Sequence, residues 1–365
     1  MRWPDRSSFR EPANYLLACL SEVGAPLLRG VSALRNLPPA QPPLAWRRAL
    51  LLGAGHVGDV LYTTGSLPAL RRGLPECALT YAAPPLSATV LEGNPNLAGT
   101  LAPADAMAHL PEFDAVICYN SSSSWRENVA AWWQGVPNRV GYVHKGFSSV
   151  VNHPAPIRRP QPYPAYFRDL VANLTGLRPD WSLRPQVYPT DAHEKEAAQC
   201  WSEQGLGAKP VVGCCLTSRQ RTGVWPAEHS ARCLRELHAL VECDTILFGS
   251  AEDEPMLTAL RDQFQLPSRI AAGRLSLLGL AGALRRCVAV VSTDSGPRHL
   301  ANAVGTRVFF MPNFSAGKIE TGRYLDTETD LAPAHGRSPA GEQQPFFEKI
   351  PPSQIAALVA SGVAQ

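Results

Sequence analysis

From residue 48 onward, short apolar runs alternate with segments whose apolar side chains recur every three or four positions. That mixture of periods is the mark of buried strands joined by amphipathic helices. The runs at 49–52, 78–82 and 115–118 predict strands, with helices expected over 58–72, 86–92 and 125–134. After a Pro- and Arg-rich stretch at 152–190, which reads as irregular structure and connector, a polar helix is expected at 191–205. A second series then begins, with strands at 211–216, 245–248, 288–292 and 307–311 and helices at 227–241, 253–263, 276–286 and 297–304. A last helix is expected over 350–363, started by Pro351-Pro352-Ser353. Strand, glycine turn and helix in alternation argue for parallel βαβ units with helices on both faces. Two such series predict an α/β protein of two Rossmann-like lobes facing a cleft.

The first 47 residues differ. Leu16, Leu20, Val23, Leu27, Val31 and Leu34 form one apolar stripe at helical spacing, broken near Gly24-Ala25-Pro26 into two short helices. Pro38-Pro39 and Pro42-Pro43 then make a stiff linker. The expected organisation is an amphipathic extension and linker at 1–47, lobes at 48–190 and 191–348, and a C-terminal helix at 349–365 that packs back toward the N-terminal lobe.

Composition narrows the class. A chain of 365 residues, 45% hydrophobic and 18% charged, suits about two globular domains. No run reaches the roughly 18 apolar residues of a spanning helix, and the start lacks the pattern of an export signal, so a cytoplasmic protein is expected. The nine cysteines are scattered and include no CxxC, which favours reduced thiols over a metal site or disulfide framework. Net charge is +3, with +4 in residues 1–48 and −1 across the rest. A basic excess confined to the N-terminus does not indicate a nucleic-acid-binding body. The extension either lies on an anionic membrane surface through residues 1–37 or packs on the body.

Four segments could carry chemistry. Gly53, Gly55 and Gly58 satisfy GxGxxG between a strand and a helix, but the second strand ends in Ala82-Ala83-Pro84-Pro85 without the acidic residue that grips a ribose. Asp59 also occupies the helix start where a pyrophosphate would dock, so dinucleotide binding is disfavoured. Asp59 is then either a general base at a strand's C-terminal end or a helix-capping residue. At 293–297, a strand runs into Thr293-Asp294-Ser295-Gly296-Pro297, a turn whose backbone amides suit phosphate oxygens. His299 follows on the helix as a packed histidine or a substrate contact. Thr217, Ser218, Arg219 and Arg221 offer hydroxyls and guanidinium groups to a diphosphate, or form a solvated loop. Glu252 and Glu254, after the strand ending at Phe248, are ribose ligands or ordinary first-turn carboxylates. Lys318 lies in a polar loop, 313–324, expected at the same edge.

Taken in order, these segments resemble glycosyltransferase family 9, the bacterial heptosyltransferases of lipopolysaccharide assembly. The matching stretches are GDVLYTTGSLPALR at 58–71, LEGNP at 91–95, TSR…WP at 217–226, FGSAEDE at 248–254, STDSGPRHLANAVGT at 292–306 and IPPSQI at 350–355. The resemblance implies the glycosyltransferase B architecture, with an N-terminal acceptor lobe and a C-terminal donor lobe. It also implies inverting transfer from a nucleotide-diphosphate sugar, ADP-heptose, without a metal or other cofactor.

By position, Asp59 would be the base, and Thr217, Ser218, Arg219, Arg221, Asp294, Ser295 and Gly296 would hold the donor diphosphate. Glu252 or Glu254 would meet the nucleoside, with Gly58, His299 and Lys318 as further substrate contacts. The acceptor would be a glycolipid or glycan, and no nucleic acid is a partner. Gly223 stands where the family has a lysine, a role open to Arg219 or Arg221. Arg298 replaces an apolar residue and is expected to add a phosphate contact. Arg139, His144 and Lys145 would either meet an anionic acceptor or form a solvated basic loop. Two other readings compete: an inactive nucleotide-binding family member acting as a scaffold, and an NAD-dependent oxidoreductase.

Overall fold

The computed structural model describes residues 12–35, 37–53, 55–119, 124–157, 159–218, 225–312, 319–331 and 351–363. The chain divides into two compact units, Met1–Leu183 and Arg184–Gln365.

In the first unit, six parallel strands make one sheet: β1 (Arg48–Leu52), β2 (Ala78–Ala82), β3 (Gly99–Leu101), β4 (Ala115–Cys118), β5 (Asn138–Tyr142) and β6 (His153–Ala155). Their spatial order is β3-β2-β1-β4-β5-β6. β1 lies at the centre, with Leu50 in register with Thr80 on one side and Val116 on the other. Strands covered on both faces need apolar side chains at every position, which is why β1 and β4 read as continuous apolar runs. Leu50, Leu52, Val116 and Cys118 pack with Leu110, Phe113, Ala131 and Val136 in one buried cluster.

Local chemistry overrides the periodicity in places. The helix expected over 58–72 is two, Val57–Thr64 and Leu67–Gly73. Pro68 cannot donate into a continuing helix and tolerates only a first turn, so the chain restarts after Gly65-Ser66. The supposed connector at 152–190 contains β6 and the helix Tyr163–Thr175, whose first turn is preset by Pro164. Pro154 is tolerated in β6 because that strand lies at the sheet edge.

β5 is fully buried despite Asn138 and Arg139. The Asn138 side chain accepts from the Gln41 amide at 2.7 Å and donates to the Asp114 carbonyl at 2.8 Å. Arg139 donates through Nε to the Val150 carbonyl at 2.6 Å and through Nη1 to the carbonyls of Val136 and Pro137. Arg139 therefore ties its own loop together and is not turned out toward an anionic acceptor. Burial pulls its guanidinium down to about 10. His144 and Lys145 are half-buried beyond the end of β5.

The extension folds onto the first unit as two helices, Pro12–Val23 and Ala25–Leu34, bent by 59° at Gly24. Ala18, Ser21, Glu22 and Ala25 face inward and are buried. Ser21 Oγ accepts from the Phe147 amide at 3.0 Å, and the Glu22 carboxylate accepts from the Ser148 amide at 2.8 Å and its hydroxyl at 2.6 Å. Gly146, at φ +87°, allows this approach, since a Cβ there would lie 2.9 Å from the Ala18 carbonyl oxygen. Further along, Trp132 Nε1 donates to Ser32 Oγ at 2.7 Å and Arg35 donates to the Trp133 carbonyl at 2.6 Å.

The second unit repeats the plan with β7 (Val211–Cys215), β8 (Asp244–Leu247), β9 (Arg269–Ile270), β10 (Ala289–Thr293), β11 (Arg307–Met311) and β12 (Glu328–Asp330). The order is β12-β11-β10-β7-β8-β9, again wholly parallel. The helix Pro352–Val363 belongs to this unit's own core. Ile355, Ala356 and Val359 are buried with Ala231, Leu234 and Leu237 of the helix Ala227–Leu240 and with Phe309 and Met311.

Candidate functional site

Each sheet runs outward from a central pair, β1 and β4 in the first unit and β7 and β10 in the second. In open α/β sheets the carboxyl ends of such a pair are where the strand order reverses and ligands bind.

At the first of these points, β1 leads through Gly53 to the helix Val57–Thr64. A Cβ at 53 would come 2.5 Å from the Tyr81 hydroxyl, and one at 55 would come 3.1 Å from Pro84 Cγ. The glycines therefore admit two side chains from the end of β2, a packing reason for GxG that needs no pyrophosphate. Tyr81 also accepts a hydrogen bond from Thr63 Oγ1 at 3.1 Å, and the Gly55 carbonyl accepts from Ser87 Oγ at 2.6 Å. Gly58 and Asp59 are half-buried in the first turn. His56 occupies the cap position and Asp59 the third helical position, in the first turn. Asp59 adds to the upward push on the buried Tyr81 phenol, whose main cause is desolvation.

Across the same point, Tyr119 is buried just past β4, 3.4 Å from Ser66 Oγ. The helix Ser124–Trp133 that follows carries Glu127. Burial raises its carboxyl above the ordinary range, and its Oε2 meets no donor among the described residues. Sequence reasoning passed over Glu127, because one carboxylate in a polar first turn has no motif around it.

In the second unit, several of the singled-out residues come together where β7 and β10 end. Thr293 Oγ1 donates to the Thr217 carbonyl at 2.8 Å and lies 3.0 Å from Ser295 Oγ. Ser295 caps the helix Gly296–Val304, and Pro297 presets its first turn. The Arg298 amide bonds the Ser295 carbonyl and the Asp294 amide bonds the Met311 carbonyl. The amides of Ser295 and Gly296 remain at the positive end of the helix, where an anion is stabilised. The expectation that the Asp294 amide serves a diphosphate is corrected, because that amide extends the β-ladder.

Arg298 is corrected as well. Its side chain is wholly buried, with the guanidinium carbon 3.4 Å from the Phe310 ring centroid. It donates to Glu328 Oε1 at 2.7 Å, Asp294 Oδ1 at 2.8 Å, and the carbonyls of Thr321 and Gly322 at 2.9 and 2.8 Å. An arginine spent in this way aims the Asp294 carboxylate and fixes the 319–322 turn; it does not reach a phosphate. Of the two readings of His299, the packed one fits: it is a buried side chain bonded to the Tyr324 hydroxyl at 2.9 Å. Desolvation, reinforced by the Arg298 charge, holds its imidazole well below the usual histidine range.

Glu252 and Glu254 are both exposed. The carboxylate turned toward Thr217 is Asp253 between them, which accepts from Thr217 Oγ1 at 3.1 Å and from the amide and hydroxyl of Ser250 at 2.8 Å each. Its signal was present in sequence as a capping box, Ser250-x-x-Asp253. Ser218 is half-buried beside Thr217. Arg219, Arg221 and Lys318 lie outside the described residues, as does Gly223. Trp225 is a core residue, and Pro226 starts the helix Ala227–Leu240. Among the described residues, no three His, Cys, Asp or Glu side chains stand together as metal ligands.

Comparison with known proteins agrees with this layout. A lipooligosaccharide heptosyltransferase 2 of Haemophilus influenzae is 31% identical over 131 residues, 33% of this chain and 37% of that protein, so the matched stretch spans little more than a third of the relative's length. The fold resembles a glycosyltransferase family 9 structure from Veillonella parvula, with a TM-score of 0.75 at 20% identity, over 87% of this chain and 97% of the other. It also resembles the ADP-heptose lipopolysaccharide heptosyltransferase II of E. coli, with a TM-score of 0.67 at 18% identity, over 87% and 99% of the two chains. An E. coli heptosyltransferase solved with ADP-2-deoxy-2-fluoro heptose aligns with a TM-score of 0.61 at 16% identity, over 86% and 99%. The two six-stranded parallel sheets are thus those of glycosyltransferase B-type neighbours. The family model for glycosyltransferase family 9 (heptosyltransferase) matches residues 98–310, more than half of the chain. The chain belongs to that family.

Proposed function

We propose that this protein is an inverting, metal-independent glycosyltransferase that moves a heptose from ADP-heptose to a glycolipid of the lipopolysaccharide type, working in the cytoplasm at the inner face of the membrane. The observation that carries the reading is the knot of Thr217, Thr293 and Ser295 where β7 and β10 end, which sets two backbone amides at a helix start. In the reaction, an acceptor hydroxyl oxygen bonds to the anomeric carbon as the bond from that carbon to the diphosphate oxygen breaks. Asp59 takes the hydroxyl proton, and the departing ADP keeps the electron pair. The amides of Ser295 and Gly296, with Thr217 and Ser218, meet the charge gathering on the diphosphate. Arg219 or Arg221 supplies the positive charge that a lysine at 223 would give. Asp253, bonded to Thr217, takes the place first given to Glu252 and Glu254 as the carboxylate nearest the donor grip.

Family membership supports the reading, as do relatives whose names carry ADP-heptose and ADP-2-deoxy-2-fluoro heptose. The test is Asp59→Asn. Transfer of heptose to a delipidated core oligosaccharide should fall by about a thousandfold, while ADP still raises the melting temperature as in wild type. Undiminished transfer removes Asp59 as the base. ADP binding by wild type without turnover on any acceptor returns the scaffold reading, and thermal stabilisation by NADH would revive the oxidoreductase.

A further inference from the structure

The two N-terminal helices rest on the first unit but keep most of their leucines turned to solvent. The face turned to the first unit carries Ala18, Ser21, Glu22 and Ala25, with the half-buried Leu28 and Val31 packed against Trp132, Val150 and Val151, whereas the other leucines look outward. Leu16 is 59% exposed, Leu20 58%, Val23 57%, Leu27 72% and Leu34 85%. Scattered exposed leucines need no explanation, but a run of them along two consecutive helices is an unpartnered surface. Trp133, 64% exposed, adds to it beside Arg35, whose guanidinium stacks 4.8 Å from its ring.

Charge says what the partner is. Within residues 12–35 the one carboxylate is Glu22, and it is buried and bonded to Ser148. The remaining charges there are Arg29 and Arg35, both exposed. The outward face is therefore apolar and cationic, with no carboxylate among the described residues of the two helices. Two copies meeting face to face would oppose arginine to arginine, whereas anionic lipid headgroups would pair with them. Each helix is too short to cross a bilayer, and the pair is bent by 59° with its polar side fastened to the body.

We infer that the outward face of Pro12–Val23 and Ala25–Leu34 is a docking surface for an anionic lipid bilayer, with the leucines entering the headgroup–acyl boundary and Arg29 and Arg35 among the phosphates. The inference deepens the glycolipid-acceptor reading but is carried by different residues and does not depend on it.

The test is flotation of the full chain with phosphatidylcholine vesicles containing either no or about 30 mol % phosphatidylglycerol, without substrates. Wild type should float with the anionic vesicles only, and the bound fraction should drop severalfold on moving from low to high salt. The variant L20E/L27E, changed at two exposed positions, should melt like wild type and lose at least about tenfold in partition. Its transfer to a delipidated oligosaccharide should be unchanged, while transfer to the same acceptor in vesicles should fall. Failure of wild type to float overturns the inference, as does resistance to alkaline extraction, which means a spanning segment. A dimer that L20E/L27E converts to monomer overturns it in favour of a second copy. None of these outcomes bears on Asp59, whose failure would appear with the delipidated acceptor.

Discussion

A single buried guanidinium organises the turn after β10. Arg298 meets Glu328, Asp294 and two carbonyls with none of its side chain exposed. Breaking a buried ion pair from one side strands the other charge, which costs about 3–5 kcal/mol. Arg298→Met should therefore lower the unfolding free energy of the second unit by that amount in urea titration, and R298M/E328Q should recover part of the loss; equal loss in both variants would show that the pairing with Glu328 is not what matters. The turn itself was legible in sequence, because Thr-Asp-Ser-Gly-Pro after an apolar run has strong local chemistry. The job of Arg298 was not, since its acceptor lies 30 residues away on a strand of three residues. The same holds for Asp253 against its glutamate neighbours: which of three adjacent carboxylates turns inward is decided with Thr217, 36 residues back in the chain and just past β7.

Among the elements, the central strands declared themselves, whereas the edge strands and β5, which opens on Asn138 and Arg139, did not. β1, β4, β7 and β10 are covered on both faces, so burial favours apolar residues along most of their length. β6, β9 and β12, at or near the edges, are two or three residues long and hold Pro154, Arg269 and Asp330, so no periodicity marks them. The loop after β1 shows a related limit. Its glycines were legible, but the reason for them sits on β2. Gly53→Ala should destabilise the first unit by about 1–3 kcal/mol through overlap with the Tyr81 hydroxyl. G53A/Y81F should regain most of that, because the nearest remaining ring atom lies 3.4 Å from the new methyl group. Urea titration of the three variants decides the matter, and no rescue in the double variant would move the cause from Tyr81 to the backbone.

At the scale of the molecule, acid should act unequally on the two units. Burial lowers the imidazoles of His153 in the first unit and of His238 and His299 in the second. An unfolded histidine protonates near pH 6.5, whereas these stay neutral when folded. Below that pH the unfolded chain binds more protons, so stability falls as pH drops, by about 1.4 kcal/mol per pH unit for each such histidine until its folded value is reached. The second unit, with two, should lose more between pH 7.5 and about 5.5 than the first. His299→Gln should flatten its slope by roughly one proton in urea titrations across that range; an unaltered slope would clear His299 of the effect.

The seating of the helix Pro352–Val363 bears on how the chain comes off the ribosome. The first unit has all its strands by Ala155 and can close while synthesis continues. The second unit cannot, because Ile355, Ala356 and Val359 complete the core around Leu234 and Phe309. Until they emerge, the flank of β11 and the helix Ala227–Leu240 stand bare, and the interval between translating residue 240 and residue 359 is the nascent chain's period of greatest need for a chaperone.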